Sequence, residues 1–197
     1  MKSETLLALS IFAFATSVTP GPNNMMLLAS GVNFGIRRTI PHMLGIAAGF
    51  TAMLLVVGLG LGAIVTAVPA VLVVLKVASA AYMLWLAWRL ATSGSFGTGA
   101  GPARPMRFIE AAGFQWINPK AWAMALTATS VYTQPDAFYL SVVIVALVFG
   151  AINLPSVGVW AAFGVGLRGF LSVPARLRAF NVAMAVLLAL SVVPFVL

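Results

Sequence analysis

The sequence contains no cysteine, a single histidine and only three acidic residues. Without cysteine there is no disulfide, thiolate metal site, CxxC redox pair or cysteine nucleophile. The acids, Glu4, Glu110 and Asp136, all fall near expected helix ends, so a carboxylate relay through the middle of a membrane is missing. One histidine and peripheral acids leave little from which to build an enzyme's nucleophile, base or metal cluster. No catalytic residue, metal or cofactor is expected. Charged residues of either sign make up 7% of the 197 residues, and no long polar stretch is available to form a separate soluble domain.

What remains is apolar. Hydrophobic residues make up 62% of the chain, against roughly 45–50% for a soluble domain, which marks an integral membrane protein of one transmembrane domain. The net charge of +8 does not point to nucleic acid, because the basic residues are dispersed between apolar spans rather than gathered on one solvated face. The first residues, Met1-Lys2-Ser3-Glu4 and an apolar run through Ala13-Phe14-Ala15, have the outline of a secretory signal. The run continues past that point, so it is read as the first transmembrane helix.

A helix needs about 20 apolar residues to cross a bilayer. On that measure the spans are Thr5 to Leu28, Ile40 to Val65, Ala70 to Leu90, Ala111 to Val131, Ala137 to Val165 and Leu177 to Phe195. The expected fold is an all-α integral membrane protein with six transmembrane helices. Alternate connections carry Arg37 and Arg38, then Arg89, Arg104 and Arg107, then Arg168, Arg176 and Arg178, eight of the 11 basic residues. The positive-inside rule puts these in the cytoplasm and both termini outside.

Residues 92–108, rich in Gly, Ser and Pro from Thr92 to Pro105, read as a cytoplasmic linker. The linker separates a first repeat, about 1–91, from a second, about 109–197. Three helices per half make the second half enter from the opposite side, which gives two inverted three-helix repeats. Small residues recur at close-packing spacing in Gly31/Gly35, Gly45/Gly49 and Gly58/Gly62, and are read as helix contacts.

The informative residues interrupt helices one and four. Pro20-Gly21-Pro22-Asn23-Asn24 breaks the first, and Asn118-Pro119-Lys120 breaks the fourth. Lipid cannot satisfy loosened backbone groups, so such breaks are tolerated only against protein or a wet cavity. Asn118 is a preferred N-cap and Pro119 suits the first helical position, so a helix restarts there with free donors and a positive dipole end. Lys120 adds a charge about ten residues from the cytoplasmic start, roughly 15 Å deep, beyond the reach of snorkelling. Together they suit a carboxylate.

The two prolines of the first break free carbonyls near Thr16 and Val18 which, with Asn23 and Asn24, suit an ammonium. Asn153-Leu154-Pro155-Ser156 in helix five is a third polar interruption, lining the same cavity or only kinking the helix. Lys76 lies roughly 9 Å below the outer end of helix three, so its charge also reaches the interface. Tyr82, Trp85 and Trp88 fit aromatic anchoring and packing. Glu110 lies at the cytoplasmic mouth of helix four. The only histidine, His42, reads as an interfacial polar residue in the basic loop before helix two.

Ser17-Val18-Thr19-Pro20-Gly21-Pro22-Asn23-Asn24, followed by Gly31, Gly35, Gly45 and Gly49, resembles the signature of the LysE/RhtB amino-acid exporter family. The stretches from Leu75 to Trp88 and from Phe114 to Ala121 resemble its third- and fourth-helix motifs. At Ala78-Ser79 the sequence departs from the glycine usual in the family. The run from Ala80 to Trp88 and the doubled Asn23-Asn24 are most similar to exporters of cysteine and O-acetylserine.

The resemblance implies proton-driven efflux of an amino acid or derivative across the cytoplasmic membrane. Expected partners are a small amino acid, protons and membrane lipids, with a homo-oligomer left open. The expected solute contacts are Pro20, Gly21, Pro22, Asn23, Asn24, Asn118, Pro119, Lys120 and Asn153. Lys76, Tyr82 and Glu110 are candidates for coupling or support. A passive channel for small polar solutes is the rival, since broken helices also build filters.

Overall fold

The computed structural model describes residues 1–92, 104–191 and 193. Among them the secondary structure is helical throughout. The chain runs through α1 (Ser3–Val18), α2 (Pro22–Phe34), α3 (Ile36–Val56), α4 (Gly62–Ala67), α5 (Pro69–Ala91), α6 (Phe108–Phe114), α7 (Pro119–Tyr132), α8 (Phe138–Leu167) and α9 (Pro174–Leu190). Most of the 92–108 connection expected from the sequence lies outside the described residues.

Proline sets many of the starts. Helices α2, α5, α7 and α9 each carry it in their first turn, where its missing N–H costs nothing and its fixed φ already suits a helix. Gly35, at φ 80°, turns the chain from α2 directly into α3. Helix α3 continues into α4 through a π-helical turn, Val57–Leu61, where Gly60 takes φ 135°. A residue with a Cβ would be strained at either glycine.

Three segments are long and apolar enough to cross a membrane, Ile36–Ala67, Val73–Ala91 and Pro135–Leu167. A fourth is added if α1 and α2, bent by 55°, count as one span. By this measure three spans, or four with the bent pair, are found among the described residues. The shortfall is physical: the second break leaves α6 and α7 with 7 and 14 residues, and α9 has only 17.

Helix α8, 30 residues or about 45 Å long, is the central member and packs against α1, α2 and α3. It runs unbroken through Pro155, so the third interruption is not a break. Helix α3 also packs on α6, and α5 lies beside α9.

The close crossings use small residues. A Cβ on Gly31 would overlap the Ala161 carbonyl oxygen, and one on Gly164 would overlap that of Leu28, so α2 and α8 touch backbone to backbone. Gly45 and Gly49 meet Phe108 and Ala112 of α6 in the same way. The largest buried cluster centres on Phe50, Met53, Leu54, Val145 and Phe149, with Phe50 and Phe149 edge to face at 5.1 Å.

Candidate functional site

Helix α1 stops because Pro20 and Pro22 remove two donors in three residues. Thr19 takes an extended conformation, Gly21 is fully extended at φ −179°, and α2 begins at Pro22. The second break is built differently. Helix α6 tightens into a 3-10 turn at Gln115–Ile117, Asn118 is extended, and α7 starts at Pro119. Asn118 Oδ1 accepts the Lys120 backbone N–H at 3.1 Å, a side-chain N-cap.

The two breaks meet. Lys120 Nζ donates to the carbonyl and the hydroxyl oxygen of Thr19, both at 2.9 Å, with the Pro20 carbonyl at 3.4 Å. Gly21 lets the lysine pass, since an added Cβ would lie 2.8 Å from Lys120 Cδ. Asn24 Nδ2 donates to the Ser17 and Thr19 carbonyls, both at 2.8 Å, and Trp160 Nε1 donates to that of Val18 at 3.1 Å. The carbonyls loosened by the prolines are thus gathered by side chains from α2, α7 and α8, as buried backbone groups require.

Asn23 pairs with Gln115, donating Nδ2 to Oε1 at 2.8 Å and accepting from Nε2 at 3.2 Å. Asn153 in α8 donates to Ser17 Oγ at 3.1 Å, while its buried Oδ1 has no partner among the described residues. Such an orphaned acceptor costs about 1–3 kcal/mol unless a donor arrives. Ser79, where the sequence departs from glycine, donates its hydroxyl to the Ile117 carbonyl and fastens α5 to the second break.

Ser17, Asn23, Asn24, Gln115, Lys120 and Asn153 line one cleft with Phe50, Met124 and Val157, and the exposed Thr19 and Pro20 lie outside its lining. Its central hollow is about 20 Å³, room for a water or so. Its own polar groups fill the rest of the cleft, so an amino acid fits only after these side chains move.

Of the residues singled out in the sequence, Gly21, Asn23, Asn24, Asn118, Lys120 and Asn153 line this cleft. Pro20 contributes its carbonyl, while Pro22 and Pro119 set the helix starts. Lys76 is exposed on α5 and does not line it. Tyr82 stacks against Trp85 and Phe114, with ring centroids at 5.3 and 5.5 Å. Glu110 is tied to Arg104 by two hydrogen bonds, at 2.6 and 2.7 Å, and accepts the Arg107 backbone N–H at 2.8 Å. Arg104 first, then that N–H, hold its carboxyl well below the usual range, at about 2.

Four participants were not singled out in the sequence. Gln115, Ser17 and Thr19 all lie inside the quoted motifs, and Trp160 carries no local signal. His42 corrects an expectation. Helix α3 begins at Ile36, directly after Gly35, so His42 lies inside a helix and is 2% exposed rather than in an interfacial loop.

Residues 14–197 match the family model described as LysE type translocator. The cysteine/O-acetylserine efflux proteins of Salmonella choleraesuis strain SC-B67 and Salmonella typhimurium strain LT2 are each 34% identical over 166 residues, 83% of this chain and 84% of theirs. That of Escherichia coli K12 is 34% identical over 145 residues, 73% of each chain. No solved structure matches.

Proposed function

We propose that this chain, which belongs to the LysE type translocator family and is a transport protein rather than an enzyme, exports a small zwitterionic amino acid or derivative through the cleft between its two breaks. Its relatives named cysteine/O-acetylserine efflux proteins support O-acetylserine or cysteine as the solute. The observation that carries the reading is the Lys120 ammonium seated on Thr19 and Pro20 oxygens: the cleft already binds one alkylammonium.

A solute's ammonium takes that seat, aided by the free Asn153 Oδ1 and the Asn23 and Asn24 amides. Lys120, released, turns to the carboxylate beside the positive end of α7. One ammonium replaces another, so the carbonyls are never left bare. The closed hollow favours a carrier that alternates over an open channel.

The remaining architecture follows the inverted-repeat scheme, six spans in two halves of about 1–91 and 109–197 joined by the 92–108 connection. Two breaks, each restarting at a proline, support it. The basic connections support a cytoplasmic-membrane protein with both termini outside, and the family resemblance suggests efflux powered by protons moving inward.

Purified protein in liposomes preloaded with labelled amino acids, with and without an imposed pH gradient, tests the reading. Wild type should release O-acetyl-L-serine saturably and faster with protons entering. Lys120→Met should lose at least about tenfold in rate while remaining folded, the loss of one charged hydrogen-bonding group. Non-saturating flux indifferent to the gradient would establish a channel instead.

A further inference from the structure

A second cavity, of about 510 Å³, opens between α2, α3, α5, α6 and α9 at the end of the molecule that carries Arg89 and Arg104. This is the size of an ordinary small-molecule pocket. Two features show it to be built for a polar guest. His42 borders it, is 2% exposed, and has no hydrogen-bond partner for either ring nitrogen among the described residues, both nitrogens being sealed off until the ring turns. Arg89 lies with its guanidinium 4.9 Å above the Trp85 ring and makes no side-chain hydrogen bond among the described residues. A stacked guanidinium with an unused fork is preorganised for a carboxylate.

The walls lead to the first site. On α2 the lining residues Met26, Ser30 and Asn33 continue, one turn earlier, to Asn23 in the cleft. On α5, Arg89 and Tyr82 continue one turn earlier to Ser79, which holds the Ile117 carbonyl. Met26 and Tyr82 of this wall pack with Met83 and Phe114 in one apolar cluster.

We propose that this vestibule is a second amino-acid site, a loading site on the basic side, where Arg89 holds the carboxylate and His42, its ring turned into the cavity, hydrogen-bonds the solute's polar side chain. Asn33 and the Glu110 carboxylate supply acceptors for the ammonium. The proposal rests on the transport reading for its choice of solute, and adds a station before the cleft that binds without Lys120. An anionic lipid headgroup is the competing occupant, but a dead-end lipid seat would not need two helix faces that run on to the cleft.

The test uses the full chain in nanodiscs of phosphatidylcholine, titrated with O-acetyl-L-serine while tryptophan emission is followed. The solute should give a saturable change that is absent in Trp85→Phe. Arg89→Gln should weaken it at least about tenfold, with partial recovery in Arg89→Lys, and His42→Gln should weaken it less. Lys120→Met should keep it.

Loss of the signal in Lys120→Met would mean a single site and overturn the proposal, as would an Arg89→Gln affinity within twofold of wild type. An Arg89-dependent change produced by phosphatidylglycerol alone would assign the vestibule to lipid and overturn it too. Wild type that exports but shows no Trp85-dependent change sinks the vestibule only. Wild type that binds in this way but exports no amino acid sinks the transport reading and leaves the vestibule standing.

Discussion

Asn23 and Gln115, 92 positions apart, exchange two amide hydrogen bonds at 2.8 and 3.2 Å and join the first break to the turn that opens the second. Gln115 Nε2 also donates to the Ala111 carbonyl at 2.8 Å, so loss of Gln115 strands the Asn23 amide, whereas loss of Asn23 leaves Gln115 Oε1 without its donor. Asn23→Ala and Gln115→Ala should each lower stability in detergent by about 1–2 kcal/mol, and the double variant by clearly less than the sum. Thermal unfolding of the four proteins gives the cycle. Additive losses would show that the pair does not act as a unit.

Thr19 supplies two of the three Lys120 acceptors, one from its side chain. Thr19→Val keeps the carbonyl and the shape but drops the hydroxyl. Half-saturation for efflux should rise severalfold, about 1 kcal/mol for one hydrogen bond, with maximal rate largely preserved. A loss as deep as that of Lys120→Met would mean the hydroxyl has another task.

At Gly21 an added methyl would press on Lys120 Cδ, the flexible part of a side chain, and not on backbone. The extended φ of −179° suits any residue. Gly21→Ala should therefore fold normally, with a melting temperature near that of wild type, yet displace the ammonium and impair efflux. Unchanged transport would show that the Lys120 position is not needed.

The two breaks were legible in the sequence because Pro, Asn and Lys inside apolar runs carry a visible cost that something must offset. Asn118 as an N-cap followed from local chemistry alone. What was not legible is partnership. Nothing near Gln115 says that it faces Asn23, and nothing near Trp160 says that its N–H closes the Val18 carbonyl. These pairings depend on how the second break meets α2 and how α8 crosses α1. His42 was misplaced for a local reason: Gly35 turns the chain in one residue, so the basic pair Arg37-Arg38 belongs to a helix, not a loop. Lys76, borderline in the sequence, is exposed on α5.

Glu110 gives a pH prediction. Its folded value of about 2 lies below the ordinary 4.5, so the ion pair with Arg104 contributes fully above 4.5 and is lost as pH falls through about 2. The carboxylate stays ionised from pH 5 to 8. Glu110→Gln should leave the shape of the efflux-against-pH curve unaltered over that range. A flattened curve would make Glu110 a proton carrier after all.

The α2–α8 crossing yields a packing prediction. Gly31→Leu drives a side chain into the Ala161 backbone and should cost about 1–3 kcal/mol or prevent folding, whereas Gly113→Ala, with open space around it, should do neither. Melting of the two variants in detergent separates the cases.

That crossing also constrains how the molecule can move. Two rods in contact main chain to main chain have little clearance to slide or roll, which favours α2 and α8 moving together. Any opening of the cleft then concentrates its torsion in the few joints outside that welded pair. Thr19, Pro20 and Gly21 are the nearest of these, a hinge of three residues, the first two of which hold the Lys120 ammonium with their oxygens.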